Sequence, residues 1–242
     1  MATARPVVHC FQHSERVQPL TVLEWARERD VELRITRVDL EPLPPAETIE
    51  RLVVLGGQMN TDEAHAHPWL DAERELLGEL VRRPTPPRIL GICLGSQLLA
   101  EVLGGRVTRA TEPEIGWQRV QLTDDGRRSS VFAVLGGELD VFEWHGDTWT
   151  LPPGAQLTVT SEGCVTQAFS WGERVHAVQF HPEFTAARTR ELAATTTDDL
   201  DRGGWVQRPE TFFGAAGDTR FDRLARYCRA LLDAALDVSP SD

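Results

Sequence analysis

Apolar positions along this chain change their period several times, and each change marks an element. Val7 to Phe11 is a short apolar run and reads as a strand. Val17, Leu20, Val22, Leu23 and Trp25 then recur at roughly helical spacing across residues 17–29. Val31 to Val38 alternates apolar and polar residues as a half-buried strand does, and Arg51 to Leu55 reads as a buried strand. Thr61-Asp62 is suited to capping a helix whose body runs from Trp69 to Arg82, and Pro84, Pro86 and Pro87 stop it. Arg88-Ile89-Leu90 starts another strand, and Leu98 to Leu103 another helix. Strands alternating with helices predict an α/β fold, a mostly parallel sheet with helices on both faces. A ligand site is then expected where the strands end at their carboxyl side.

The pattern shifts after Val107. Short strands and turns dominate, at Gln118–Leu122, Leu139–Trp144, Gln156–Thr160, Val165–Phe169 and Val175–Phe180. They read as a largely antiparallel extension of the same sheet. A helix restarts over 185–200, and 201–218 is irregular, a loop or lid candidate. Phe221 to Leu236 places Phe221, Leu224, Ala225, Cys228, Leu231, Leu232 and Ala235 on one helical face. The tail from Ser239 to Asp242 is expected to be disordered. The expectation is one domain over residues 1–242, with its core over about 5–235.

Composition narrows the partners. A net charge of −12 argues against a nucleic-acid or anionic-membrane surface. No apolar run is long enough to span a membrane, and Met1 to Pro6 lacks the apolar stretch of a secretory leader. Cys10, Cys93, Cys164 and Cys228 are widely spaced, which suggests neither a zinc site nor a disulfide framework. The expected setting is therefore reduced and cytoplasmic.

One cysteine stands apart. Gly91-Ile92-Cys93-Leu94-Gly95-Ser96-Gln97 puts a thiol at a strand-to-helix turn between two glycines, which would let the backbone bend sharply. The helix that follows turns its free N–H groups and positive dipole end toward the sulfur, favouring thiolate. A base and its orienter stand in Gln179-Phe180-His181-Pro182-Glu183, where proline stiffens the corner between His181 and Glu183. Gly56-Gly57 follows the strand ending at Leu55 and can present backbone N–H groups. One of them, with the N–H of Leu94, would form an oxyanion hole.

These three segments, in this order, resemble the Cys-His-Glu type of class I glutamine amidotransferase. Glu114-Ile115-Gly116-Trp117, Trp144-His145-Gly146-Asp147 and Gln167-Ala168-Phe169 fit the same likeness. They are similar to its stand-alone branch, near the glutaminase domain of GMP synthetase and γ-glutamyl peptidases. The resemblance implies a flavodoxin-like fold and a catalytic Cys93, His181 and Glu183. It implies an oxyanion hole at Gly57 and Leu94, and substrate contacts at Gly56, Gln97 and Gln167. It also implies hydrolysis of the γ-amide of glutamine or a γ-glutamyl compound, without cofactor or metal. Two departures stand out: Gln58 where many relatives have proline, and Ser96 where fused glutaminases often have histidine. No synthetase domain follows in the sequence, so ammonia would pass to a separate synthetase partner, or the chain acts as an independent hydrolase.

Bland readings compete. His9, His13, His65 and His67 hint at a metal site, but H-x-H alone is weak and no metal is expected. His145 either lines the pocket or packs a corner. A redox-sensing protein on this fold, with Cys93 as the oxidisable thiol, is the competing class; an oriented base argues against it.

Overall fold

The computed structural model describes residues 5–195, 203–215 and 218–239. Nine strands form one sheet. The first half comprises β1 (Val7–Gln12), β2 (Glu32–Arg37), β3 (Arg51–Val54) and β4 (Arg88–Ile92), joined by β9 (Val175–Val178), all parallel. The second half comprises β5 (Val107–Leu122), β6 (Glu138–Trp149), β7 (Ala155–Ser161) and β8 (Ala168–Trp171), all antiparallel. In space the strands run in the order β2-β1-β3-β4-β9-β8-β7-β5-β6, so the expected α/β fold with an antiparallel extension is observed as a mixed sheet, parallel at one end and antiparallel at the other.

Alternation along the strands sorts the core into two layers. Val8, Cys10, Val53, Leu55, Leu90 and Ile92 face one side, packed with α1 (Leu20–Glu28) and α6 (Arg220–Leu236). Phe11, Leu52, Val54 and Ile89 face the other, packed with α2 (Trp69–Val81) and α3 (Leu94–Val102). Each fully buried side chain of this size contributes about 1.5–3 kcal/mol. Trp25 of α1 is fully buried, and its indole N–H donates to Asp233 of α6 at 2.7 Å. A short helix, α4 (Asp124–Arg128), and α5 (Ala186–Thr195) complete the set.

Several boundaries differ from expectation. Thr61 does not cap α2, whose N-cap is Pro68; the Thr61 hydroxyl donates to Glu101 instead, at 2.9 Å. The strands expected at Gln118–Leu122 and Leu139–Trp144 are parts of a much longer β5–β6 hairpin. The helix expected over 185–200 is α5 as far as Thr195, and 196–200 lie outside the described residues. Residues 203–215, within the lid candidate, are fastened to β5. Val206 bridges Ile115 in parallel, the Ile115 N–H donates to Trp205 O at 3.1 Å, and Phe212 is fully buried. Residues 201–202 and 216–217, and the tail from 240 to 242, lie outside the described residues. Among the described residues no helix is long and apolar enough to cross a membrane.

Candidate active site

Cys93 joins β4 to α3 with φ 49° and ψ −108°. Such a backbone costs a non-glycine residue ~1–3 kcal/mol and persists only when neighbours hold it. Here they do. The Cys93 N–H donates to Val178 O at 2.9 Å, and the Cys93 carbonyl accepts from Gln97 N–H at 3.0 Å and from the Ser96 hydroxyl at 2.7 Å. Gly95 N–H donates to Leu55 O at 3.1 Å. The unusual φ therefore belongs to the cysteine, not to its flanking glycines. Those glycines let α3 sit tightly on the sheet. A Cβ at Gly91 would come within 2.6 Å of Leu99 Cδ1, and one at Gly95 would overlap the Val54 carbonyl. The sulfur is left at the N-terminus of α3, only 5% of the residue being exposed.

His181 stands just beyond β9. Its backbone N–H donates to Phe142 O at 2.8 Å, and its ring stacks on Phe184 with centroids 4.2 Å apart. Nδ1 lies 2.8 Å from Glu183 Oε1, and both side chains are buried. Burial alone would disfavour a charged ring. Glu183 and Cys93 outweigh it by charge and hydrogen bonding, and hold the His181 pKa well above the usual histidine range.

The Gly56-Gly57 loop closes over both groups. A Cβ at Gly56 would come within 2.8 Å of His181 Cε1 and 3.4 Å of Cys93 Cβ. A Cβ at Gly57 would come within 2.5 Å of Leu94 Cδ2. Glycine at both positions is what lets the loop backbone approach thiol, imidazole and helix start together. Gly57, Cys93, Gln97 and His181 line one cavity of about 690 Å³. Arg109 of β5 and Trp144, His145 and Asp147 of β6 form another part of its wall, and Arg16 and Leu192 also line it. Arg109 Nη1 lies 2.9 Å from Asp147 Oδ1.

Gln97 lines this cavity. Its amide nitrogen lies 3.4 Å from Asp147 O and 3.5 Å from Gln179 Oε1. Gln179 in turn points its amide at Cys93 Sγ, 3.6 Å away. The motif reading gives Gln179 no role, although its place two residues before His181 puts both on one face of an extended segment.

Gln167 is placed differently from expectation. It does not line the cavity; it is fully buried, donating to Glu114 Oε2 at 2.7 Å and Ser161 Oγ at 3.1 Å. It belongs to a polar cluster behind the wall. There His145 Nε2 lies 3.0 Å from Glu114 Oε2, and His145 Nδ1 lies 2.9 Å from Asp147 O. His145 thus both lines the cavity and holds a corner. Glu143 is fully buried beside this pair, with its Oε2 3.4 Å from His145 Nε2. Burial, then the charge of Glu114, pushes its pKa well above the carboxylate range. Glu114, His145 and Cys164 bring potential ligand atoms within 4.8 Å of one another. The four histidines that hint at a metal in the sequence do not gather there. His13 pairs with Glu73, and His67 tilts against Trp69.

Fold and site together define an α/β protein with a buried thiol at a strand-to-helix elbow, facing an oriented imidazole. The chain belongs to the glutamine amidotransferase class-I family, whose model matches residues 21–195. It is similar to the glutamine amidotransferase-like protein YfeJ of Salmonella typhimurium, 35% identical over 199 residues, 80% of this chain and 82% of the relative. A glutamine-hydrolysing GMP synthase subunit of Sulfurisphaera tokodaii is 40% identical over 107 residues, 43% of this chain and 55% of the relative. Among solved structures, a glutamine amidotransferase of Thermotoga maritima superposes with a TM-score of 0.84 at 29% identity. That match covers 97% of this chain and all of the other.

Proposed function

We propose that the protein hydrolyses the γ-amide of glutamine or of a γ-glutamyl compound through a thioester on Cys93. The observation that carries this is the convergence of Cys93 and His181 on Gly56, with Glu183 2.8 Å from the His181 ring. The Cys93 thiolate attacks the amide carbonyl and forms the C–S bond. The oxyanion is met by the N–H groups of Gly57 and Leu94, a type of contact typically worth roughly 3–4 kcal/mol of barrier. The C–N bond breaks as the nitrogen takes a proton from the His181 imidazolium, and ammonia or an amine departs. Water then adds to the thioester, losing its proton to His181, and the C–S bond breaks to release glutamate. Glu183 keeps the ring oriented and offsets its charge. Gln97, which lines the cavity, would hold the amino-acid end of the substrate; Gly56, expected to share that task, is not among the lining residues and its carbonyl is bonded to His13.

The cavity leaves room for a γ-glutamyl compound carrying more than ammonia. About 690 Å³ lies within the range of roughly 300–1,000 Å³ for drug-sized ligands, more than glutamine alone requires. Similarity to a GMP synthase subunit favours a second arrangement, in which a separate synthetase consumes the ammonia. The direct test is Cys93→Ala assayed on glutamine and on γ-glutamyl amides. We expect turnover to fall on the order of 10³-fold or more, with a γ-glutamyl adduct on Cys93 in the parent protein by intact mass. Turnover that survives the substitution sinks the reading. Amine release by the isolated protein favours the independent hydrolase, and activity only with a synthetase present favours the ammonia-supplying role.

A further inference from the structure

His13 follows β1 and is fully buried, as is its partner Glu73 on α2. Its Nδ1 lies 2.8 Å from the carbonyl oxygen of Gly56. Its Nε2 lies 3.1 Å and 3.0 Å from the two carboxylate oxygens of Glu73. A carbonyl oxygen only accepts, so Nδ1 carries a proton. An ionised Glu73, reached almost equally at both oxygens, also accepts, and Nε2 then carries one too. With Glu73 ionised the ring is an imidazolium, and the Trp69 indole stacks over it at 5.3 Å with an interplanar angle of 18°. Burial opposes this charge. The charge and hydrogen bond of Glu73, the Gly56 carbonyl and the charge of Asp39 outweigh it.

The bonded oxygen belongs to the peptide joining Gly56 to Gly57. No peptide bond among the described residues is cis. In a trans peptide the C=O and N–H point in opposite directions. Fixing the Gly56 oxygen on His13 therefore fixes the direction of the Gly57 N–H, and Gly57 lines the cavity with Cys93. Two consecutive glycines offer little resistance to peptide rotation. A half-turn would replace the N–H by a carbonyl oxygen and make the site repel negative charge. Gln58 does not restrict the preceding residue as proline would. The restraint must come from outside the loop, and a charge-assisted hydrogen bond is about twice as strong as a neutral one.

We propose that His13, held by Glu73, is a positioning residue that clamps the Gly56–Gly57 peptide with its N–H toward the oxygen that gains charge during attack. This rests on the thiol-hydrolase reading above. The clamp never touches substrate. It acts on the step that builds the oxyanion and leaves the nucleophilicity of Cys93 unchanged.

The experiment compares two reactions of the same sulfur. Hydrolysis of a γ-glutamyl anilide builds an oxyanion; alkylation of Cys93 by iodoacetamide displaces iodide and builds none. Removing His13 alone would strand Glu73 in the core, so the pair is replaced together as His13→Leu/Glu73→Leu. A second variant, His13→Asn/Glu73→Gln, keeps a neutral donor. In the leucine variant kcat is expected to fall on the order of 100-fold, with KM and the Cys93 alkylation rate within about threefold of the parent. The asparagine variant is expected to recover part of kcat. Unchanged kcat, or kcat and alkylation falling in parallel, overturns the clamp. On the unsubstituted protein, ¹⁵N spectra near neutral pH are expected to show both His13 ring nitrogens protonated, and an Nδ1 without a proton overturns the clamp whatever the variants do. The two readings separate cleanly. An active Cys93→Ala removes both, while an inactive Cys93→Ala beside a fully active leucine variant removes only the clamp.

Discussion

The carboxylate of Glu183 decides how His181 titrates. It lies 2.8 Å from Nδ1, and its charge helps hold the ring's pKa well above the ordinary value. Glu183→Gln keeps the shape and removes the charge. We expect kcat to drop on the order of 100-fold or more and the His181 titration, followed by NMR, to move to lower pH. A His181 titration unmoved by the change would contradict the role given to Glu183. The gathering of Cys93, His181, Glu183 and Gly57 in one place is legible in the sequence because each stands in a short run with a marked local geometry. The placement of Gln167 is not. Its amide meets Glu114 and Ser161, 53 and 6 positions away, instead of the cavity, and such partners are not marked in the local run around it. His13 was seen only as one histidine among four, since its partner Glu73 lies 60 positions away.

Elements carry a second kind of constraint, the closeness of α3 to the sheet. Gly95→Ala would drive a methyl group into the Val54 carbonyl, which is backbone and cannot swing aside. A loss of about 3 kcal/mol is expected in urea unfolding. Gly78→Ala in α2 is the contrast, because the nearest atom to its new Cβ is the end of the Arg82 side chain, at 3.0 Å. There a gain of about 0.5–1 kcal/mol is expected. Equal effects at the two glycines would refute this packing argument. The βα alternation of the first hundred residues was readable because burial on both faces leaves apolar strands with helices between them. The long β5–β6 hairpin was less so. A register shift between Arg109 and Glu114 breaks its alternation, and Glu114, Glu143 and His145 are polar residues at buried positions.

Across the whole molecule the buried histidines pull stability in opposite directions with pH. His176 is buried, and desolvation lowers its pKa to about 4. Its contribution is complete above the unfolded value of about 6.5 and declines as pH falls toward 4, by on the order of 3 kcal/mol. His13 and His181 have raised pKa values. Their contribution is complete below about 6.5 and is lost as pH rises through their folded values. Stability should therefore peak near pH 6–7. His176→Gln should flatten the acid side of that profile in urea titrations while leaving the alkaline side alone; an acid limb equally steep in the variant would rule His176 out as its source.

The elbow at Cys93 is tied to Leu55 on one side and Val178 on the other, residues that only an assembled sheet brings near. A fragment holding the same heptapeptide lacks those ties. Covalent capture by an electrophilic glutamine mimic should consequently count native molecules one by one, and the fraction captured after heating and cooling would gauge how much of the population has found its way back.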